Sequence, residues 1–232
     1  MSCLDCNRGS ILEGQPTGSF TDIDGVKGGR AVILLGDGFG LPLELACDPL
    51  LDVNGMTDNL LPKRPPLWDK IKFVVMILLP RSGLMRRAAL ISSQFIKRIR
   101  EQWKYDRIGA VGYCFGGPLG VRLAPLDIFD SLVVCHPGWV SEAEVKAINV
   151  PTSWVCAEED ITFGPAIRNQ AEALLAAREG KDDFVDYEFV DYKGTVHGFA
   201  CQPPLEFPDV KEAFEKSIDQ TLKWFEKTLL VT

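Results

Sequence analysis

The 232 residues, 46% hydrophobic and 25% charged, suffice for one sizeable core and are few for two domains, which argues against a largely disordered chain. A formal net charge of -7, with no basic block denser than Arg86-Arg87 or Lys97-Arg98, provides no field that would gather a phosphate backbone, so no nucleic-acid partner is expected. No segment approaches 18 apolar residues and the first residues hold no apolar run of the signal type, so no membrane span is expected and a cytoplasmic location follows by default.

Residues 1–29 are rich in Gly, Ser, Thr and Asp and read as an irregular leader before a single domain spanning 30–232. Cys3-x-x-Cys6 has zinc-knuckle spacing, but no second CxxC or HxxxH completes a four-ligand set, so no metal is expected. Seven cysteines form an odd set without a secretory signal, which points to free thiols. Cys135 and Cys156 lie inside apolar runs and are expected to be buried as small hydrophobes.

The first strand signal is Ala31 to Leu35, a continuous apolar run stopped by Gly36-Asp37-Gly38, as in a strand covered on both faces. Residues 41–85 are harder to read: Pro62, Pro65 and Pro66 forbid a long element, and Trp68 to Leu79 fits a helix or a strand. A helix follows over Arg87 to Trp103, with Ala88, Ile91, Phe95 and Ile99 on its apolar side. Buried strands are expected at Ile108–Gly112, Ser131–Cys135 and Thr152–Cys156, and an edge strand at Phe184–Val190. Helices are expected over Pro165–Arg178 and Asp209–Lys227, the second capped by Asp209 and burying Phe214, Ile218, Leu222 and Phe225. Strand and helix alternate along most of the chain, which predicts an α/β fold with a mostly parallel sheet and helices on both faces.

Gly112-Tyr113-Cys114-Phe115-Gly116-Gly117 matches G-x-[S/C]-x-G between a strand and a helix, the setting of a nucleophile elbow. The glycines two residues either side of Cys114 remove Cβ atoms that would collide in so tight a turn, and a helix beginning at Phe115 would aim its free N–H groups at the thiol. A cysteine nucleophile needs a base and the base an orienting acid, in the chain order nucleophile, acid, histidine. Asp160 lies beyond the strand ending at Cys156, and His197 lies in Gly194-Thr195-Val196-His197-Gly198-Phe199. Glu158 and Glu159 compete with Asp160, which is favoured because it lies furthest along the loop; the two glutamates are expected to be solvated. The other histidine, His136, is expected to be a satisfied structural or pocket residue. An oxyanion hole would draw on the backbone N–H of Phe115 and of Gly38. Tyr113, Phe115, Trp139 and Phe199 suggest an aromatic cleft.

The elbow, the stretch Ala157-Glu158-Glu159-Asp160 and the stretch His197-Gly198-Phe199-Ala200 together resemble the dienelactone hydrolase family, and the leader resembles that of its fungal members. The resemblance implies an α/β-hydrolase fold, a Cys114-His197-Asp160 triad, no metal and no organic cofactor. It also implies a small ester or lactone as substrate, cleaved through an acyl-enzyme. A carboxylate that modulates the resting cysteine in the family is matched by Asp37, one methylene shorter than the family's glutamate. The arginine that dienelactone-cleaving members carry four residues after the histidine is here Cys201, which weighs against dienelactone itself.

Residues 41–54 are too few for the helix and strand that the family places there, at typical lengths of ~11 and ~5 residues, so an early strand and helix are expected to be missing. That shortening is the basis of a second reading, a non-catalytic or inactive member acting as a binding or regulatory protein. A redox role for Cys3 and Cys6 is a third, weaker reading, because the pair does not open a helix after a strand. Oligomeric state is not legible.

Overall fold

A computed structural model describes residues 29–36, 83–201 and 203–231. Cys3, Cys6, Asp37, Gly38, the leader and the shortened 41–54 stretch lie outside the described residues, as does most of 41–85.

Among the described residues five strands, β1 (Arg30–Leu35), β2 (Arg107–Tyr113), β3 (Ser131–Cys135), β4 (Thr152–Glu159) and β5 (Tyr187–Val196), form one sheet in that spatial order, parallel throughout. The helices among the same residues are α1 (Gly83–Trp103), α2 (Gly116–Leu123), α3 (Glu142–Ala147), α4 (Pro165–Ala176) and α5 (Pro208–Thr228), with a 3-10 turn at Ala124–Leu126. β3 is buried at every position, and β2 and β4 at most, as uninterrupted apolar runs require when both faces are covered.

Side-chain alternation divides the core. Ala110, Leu132, Val134, Trp154 and Cys156 share one cluster with Ala88 and Ile96 of α1, Leu119 of α2, Val145 of α3 and Leu175 of α4. Val111, Val133, Cys135, Val155 and Ala157 face the other way, onto Ala213, Trp224 and Phe225 of α5. Cys135 and Cys156 are buried, as their apolar surroundings predict.

Three sequence expectations are corrected. The last strand is displaced: β5 starts at Tyr187 and runs six residues beyond Val190, because parallel pairing with β4 outweighs the polarity of Asp191 and Lys193. Arg168 pairs with Asp191 at 2.9 Å and covers part of that polarity. Asp209 does not cap α5; the cap position is Phe207, Pro208 opens the helix, and Asp209 lies in its first turn. The buried face of α5 is also rotated from the expected stripe. Ala213, Ser217, Trp224 and Phe225 are buried, while Ile218 and Leu222 are exposed. The reason is polar: Gln220 donates to Ser153 Oγ at 2.8 Å and accepts from Tyr192 Oη at 2.6 Å, and Phe225 fits over the bare backbone of Gly109.

Two glycines set the approach of α2 to the sheet. A Cβ on Gly112 would overlap the carbonyl of Gly116, and one on Gly116 would overlap the carbonyl of Leu35 in β1. Both obstacles are backbone and cannot rotate away. Gly116→Ala is therefore expected to lose about 1–3 kcal/mol of stability or more. A Cβ on Gly138 would meet only ordinary contacts, the nearest at 3.5 Å from Pro118 Cγ, so Gly138→Ala should stay within about 0.5 kcal/mol of wild type in urea melts.

Candidate active site

In a parallel sheet the strands' C-terminal ends and the following helix N-termini share one edge, where ligands usually bind. Cys114 follows β2, His136 follows β3, Asp160 follows β4 and His197 follows β5, so the sheet order brings residues 83 positions apart in sequence to one edge.

Cys114 has φ 50, a left-handed conformation that costs a non-glycine residue of order 1–3 kcal/mol and must be held by its surroundings. They hold it from both sides: its N–H donates to Cys135 O at 3.1 Å, and its carbonyl accepts from Gly117 N at 3.2 Å and Gly138 N at 2.9 Å. α2 begins at Gly116 with Phe115 as its cap residue, so the helix starts directly after Cys114 and its first N–H groups lack partners within the helix. The second expected oxyanion donor, Gly38, and the carboxylate of Asp37 lie outside the described residues.

Asp160 is fixed through Oδ1, which accepts from the backbone N–H groups of Thr162 at 2.8 Å and Phe163 at 3.1 Å. This Asx-type turn is anchored by Phe163, which stacks on Trp154 with ring centroids 5.3 Å apart, while Phe189 of β5 stacks on the other face at 5.0 Å. Each such pair contributes about 0.5–1.5 kcal/mol beyond its burial. Oδ2 is left for His197 Nδ1, 2.9 Å away. A carboxylate can only accept, so Nδ1 carries the proton and Nε2 is the nitrogen available to Cys114.

Burial alone would lower the His197 pKa, but hydrogen bonds to Asp160 and Cys114 and the negative charge of both outweigh it and raise the pKa to about 11. Burial would likewise raise the Asp160 pKa, and the bonds and charge of His197, with those of Thr162, lower it instead. The stability that the protonated His197 adds is thus full below about pH 6.5, the unfolded value, and is lost as pH rises through about 11.

Thr162, which the sequence does not single out, and Glu158, expected to be solvated, help to build this geometry. Thr162 Oγ1 lies 2.8 Å from Asp160 Oδ1 and 2.9 Å from Pro137 O, both acceptors, and ties the Asp160 turn to the loop after β3. The pattern Asp-x-Thr was its sequence signal. Glu158 is not simply solvated: it accepts from Gly194 N at 2.8 Å and pairs with Lys193 at 3.0 Å, securing the bulged end of β5 that leads into His197. Glu159 pairs by backbone register with Val196 and is exposed.

His136 departs from expectation. It is fully buried, yet among the described residues neither ring nitrogen has a hydrogen-bond partner, where a satisfied histidine was expected. An unmade bond on a buried polar group costs about 1–3 kcal/mol. Its ring meets His197 edge to face, with centroids 5.1 Å apart. Burial first, then the neighbouring His197, lowers its pKa to about 3 against the opposing pull of Asp160. Of the expected aromatic cleft, Phe199 is core and packs 5.9 Å from His136, Tyr113 is half-buried, and Trp139 is exposed.

A parallel sheet with a strained elbow after one strand and an acid and a histidine after later strands defines an α/β-hydrolase fold. The sequence model of the dienelactone hydrolase family matches residues 76–229. Hydrolase pyvD of Aspergillus violaceofuscus is 30% identical, over 97% of this chain and 96% of its own length. Dienlactone hydrolase 1 of Gibberella moniliformis is 22% identical, over 96% and 92%. Among solved structures, m3DLH superposes with a TM-score of 0.60 at 17% identity, over 88% of this chain and 89% of its own. A dienelactone hydrolase-like promiscuous phosphotriesterase, P91, from metagenomic libraries superposes with a TM-score of 0.58 at 15% identity, over 86% of each chain. The chain belongs to the dienelactone hydrolase family and is a hydrolase. Among the described residues no group of His, Cys, Asp or Glu is placed to hold a metal ion, and no helix is long and apolar enough to cross a membrane.

Asp160→Asn keeps the shape of the Nδ1 bond and removes its charge, so the His197 pKa should fall toward 6.5. Alkylation of Cys114 by iodoacetamide at neutral pH, followed by intact mass, is expected to slow about tenfold or more, the effect of at least one pKa unit. An unchanged rate would mean that Asp160 does not act on the thiol through His197.

Proposed function

We propose that the chain hydrolyses a small, uncharged or weakly charged ester or lactone, with Cys114 as nucleophile, His197 as base and acid, and Asp160 as the group that orients His197. The observation that carries the reading is the continuous line from Asp160 Oδ2 through His197 Nδ1, at 2.9 Å, to a thiol whose hydrogen bond and charge help raise the His197 pKa. That raised pKa keeps the His197 imidazole protonated beside the thiol, where it can pair with the thiolate that attacks.

The thiolate attacks the carbonyl carbon, forming a C–S bond while the carbonyl oxygen gathers charge beside the first-turn N–H groups of α2. As the tetrahedral centre collapses, the C–O bond breaks and the alkoxide takes the Nε2 proton of His197. Neutral His197 then removes a proton from water, whose oxygen attacks the thioester. The C–S bond breaks, the acid leaves, and thiolate and imidazolium are restored. Asp160 stays ionised throughout and holds Nδ1–H. In this reading residues 30–232 are one catalytic domain, Phe115 and Gly38 supply the oxyanion donors, and Asp37 modulates the resting thiol. The neutral substrate class is supported by Cys201, which stands four residues after His197 and offers no cation for a substrate carboxylate.

The test is hydrolysis of p-nitrophenyl acetate by wild type and by Cys114→Ala. Turnover should fall about 10³-fold or more in the variant, with His197→Ala almost as impaired and the double variant no worse, because the pair acts as a unit. Substantial turnover in folded Cys114→Ala would overturn the mechanism. A folded wild type inert toward a panel of acetate, butyrate and lactone substrates would favour a binding role instead.

A further inference from the structure

We propose that His136 is a positioning residue whose uncharged ring backs the imidazole of His197 and keeps it aligned between Asp160 and Cys114, an inference that rests on the roles given to those three residues under Proposed function. Three independent observations meet at this one side chain.

The first is contact. The His136 and His197 rings cross at 69° with centroids 5.1 Å apart, and Phe199, on the loop that carries His197, lies 5.9 Å from His136. Tyr113, at the end of β2, packs on it at 6.1 Å. The end of β2 and the loop after β5 therefore meet around one aromatic ring, which limits how far the His197 ring can swing away from Asp160.

The second is backbone. His136 has φ 32, and it and Cys114 are two of the four non-glycine residues at positive φ among the described residues. His136 N–H still donates to Val155 O at 2.8 Å, extending the ladder by one residue, after which the chain turns sharply. The turn places Pro137 O 2.9 Å from Thr162 Oγ1, beside Asp160, and Gly138 N–H 2.9 Å from Cys114 O. The backbone turned at His136 thus touches the supports of the nucleophile and of the acid, and its side chain touches the base. Strain held at such a junction is a pointer toward function.

The third is the state of the ring. It is fully buried and both nitrogens are unpartnered among the described residues, in a place where a second imidazolium would face the charge of His197. The charged or titratable groups acting on it are His197 and Asp160, with the Tyr113 hydroxyl held neutral by burial, which raises its pKa. Burial and His197 keep His136 uncharged through the neutral range. A ring that cannot compete for the proton can pack against an imidazolium without repelling it. The unused nitrogens also predict that the ring acts by shape, so a carbocyclic ring should replace it.

The experiment uses His136→Phe, His136→Leu and His136→Ala in the full chain. Because the chain has only two histidines, imidazole NMR resolves each of them. The Nδ1 proton of His197, sheltered by its bond to Asp160, should exchange slowly in wild type and in His136→Phe and be lost to exchange in His136→Leu and His136→Ala, with circular dichroism unchanged. In parallel, kcat for p-nitrophenyl acetate should fall about tenfold to a hundredfold in the Leu and Ala variants, as expected for misalignment of the base, with KM little changed and kcat recovered in the Phe variant. Leu fills most of the volume without a flat ring, so its failure separates alignment from cavity formation. The proposal is overturned if the Leu variant keeps both the sheltered proton and wild-type kcat, or if folded His136→Phe is as impaired as His136→Ala. The proton signal does not depend on ester turnover, so a wild type inert toward esters would count against the hydrolytic reading while leaving this test decisive.

Discussion

The turn between β2 and α2 carries Cys114 in a left-handed conformation, and the rest of the site is arranged around the cost of keeping it there. The turn is possible because the backbones of β1, β2 and α2 approach one another more closely than any Cβ at Gly112 or Gly116 would allow. It is kept in place because the ladder continues past the strand ends, from Cys114 N–H to Cys135 O, and because Gly138 N–H reaches back to the Cys114 carbonyl. The thiol is thereby presented at the sheet edge by backbone hydrogen bonds alone.

Asp160 and His197 are supported by different means. Asp160 hangs from an Asx-type turn anchored in the core by the Trp154 and Phe163 stack, so its carboxylate direction is set by aromatic packing and two backbone N–H groups. His197 sits on a loop pinned by buried Phe199 on one side and by the Glu158 bond to Gly194 on the other. The two supports converge at the 2.9 Å Nδ1 to Oδ2 bond, and the charge gathered there reverses the effect of burial on the His197 pKa. His136 lies where these supports meet, with ring nitrogens that find no hydrogen-bond partner among the described residues, a cost that a purely structural position would be better without.

Much of the architecture was legible from local pattern. Ser131–Cys135 was delimited as observed, because a strand buried on both faces is written as an unbroken apolar run closed by turn residues. α3 carries a start signal, the capping box of Ser141 and Glu144, but its six residues have too little periodicity to mark a helix in the sequence. The buried face of α5 and the extent of β5 were misread, since each depends on partners far along the chain. Gln220 is drawn inward by Ser153 and Tyr192, and Asp191 is tolerated at a sheet edge because Arg168 reaches it.

By itself, the sequence determined the alternation of strands and helices, the elbow at Cys114, and the order in which acid and histidine follow it, because those features depend on residue types at short spacing and on chain direction. Family membership was legible for the same reason, in three short motifs. Tertiary structure alone decided which carboxylate meets His197, separating Asp160 from Glu158 and Glu159 by the Asx-type turn and the bulge of β5. It also decided the state of His136, whose burial, strain and contact with His197 arise only when β2, β3 and the loop after β5 are brought together. Both depend on distances between residues remote in sequence, which no local pattern encodes.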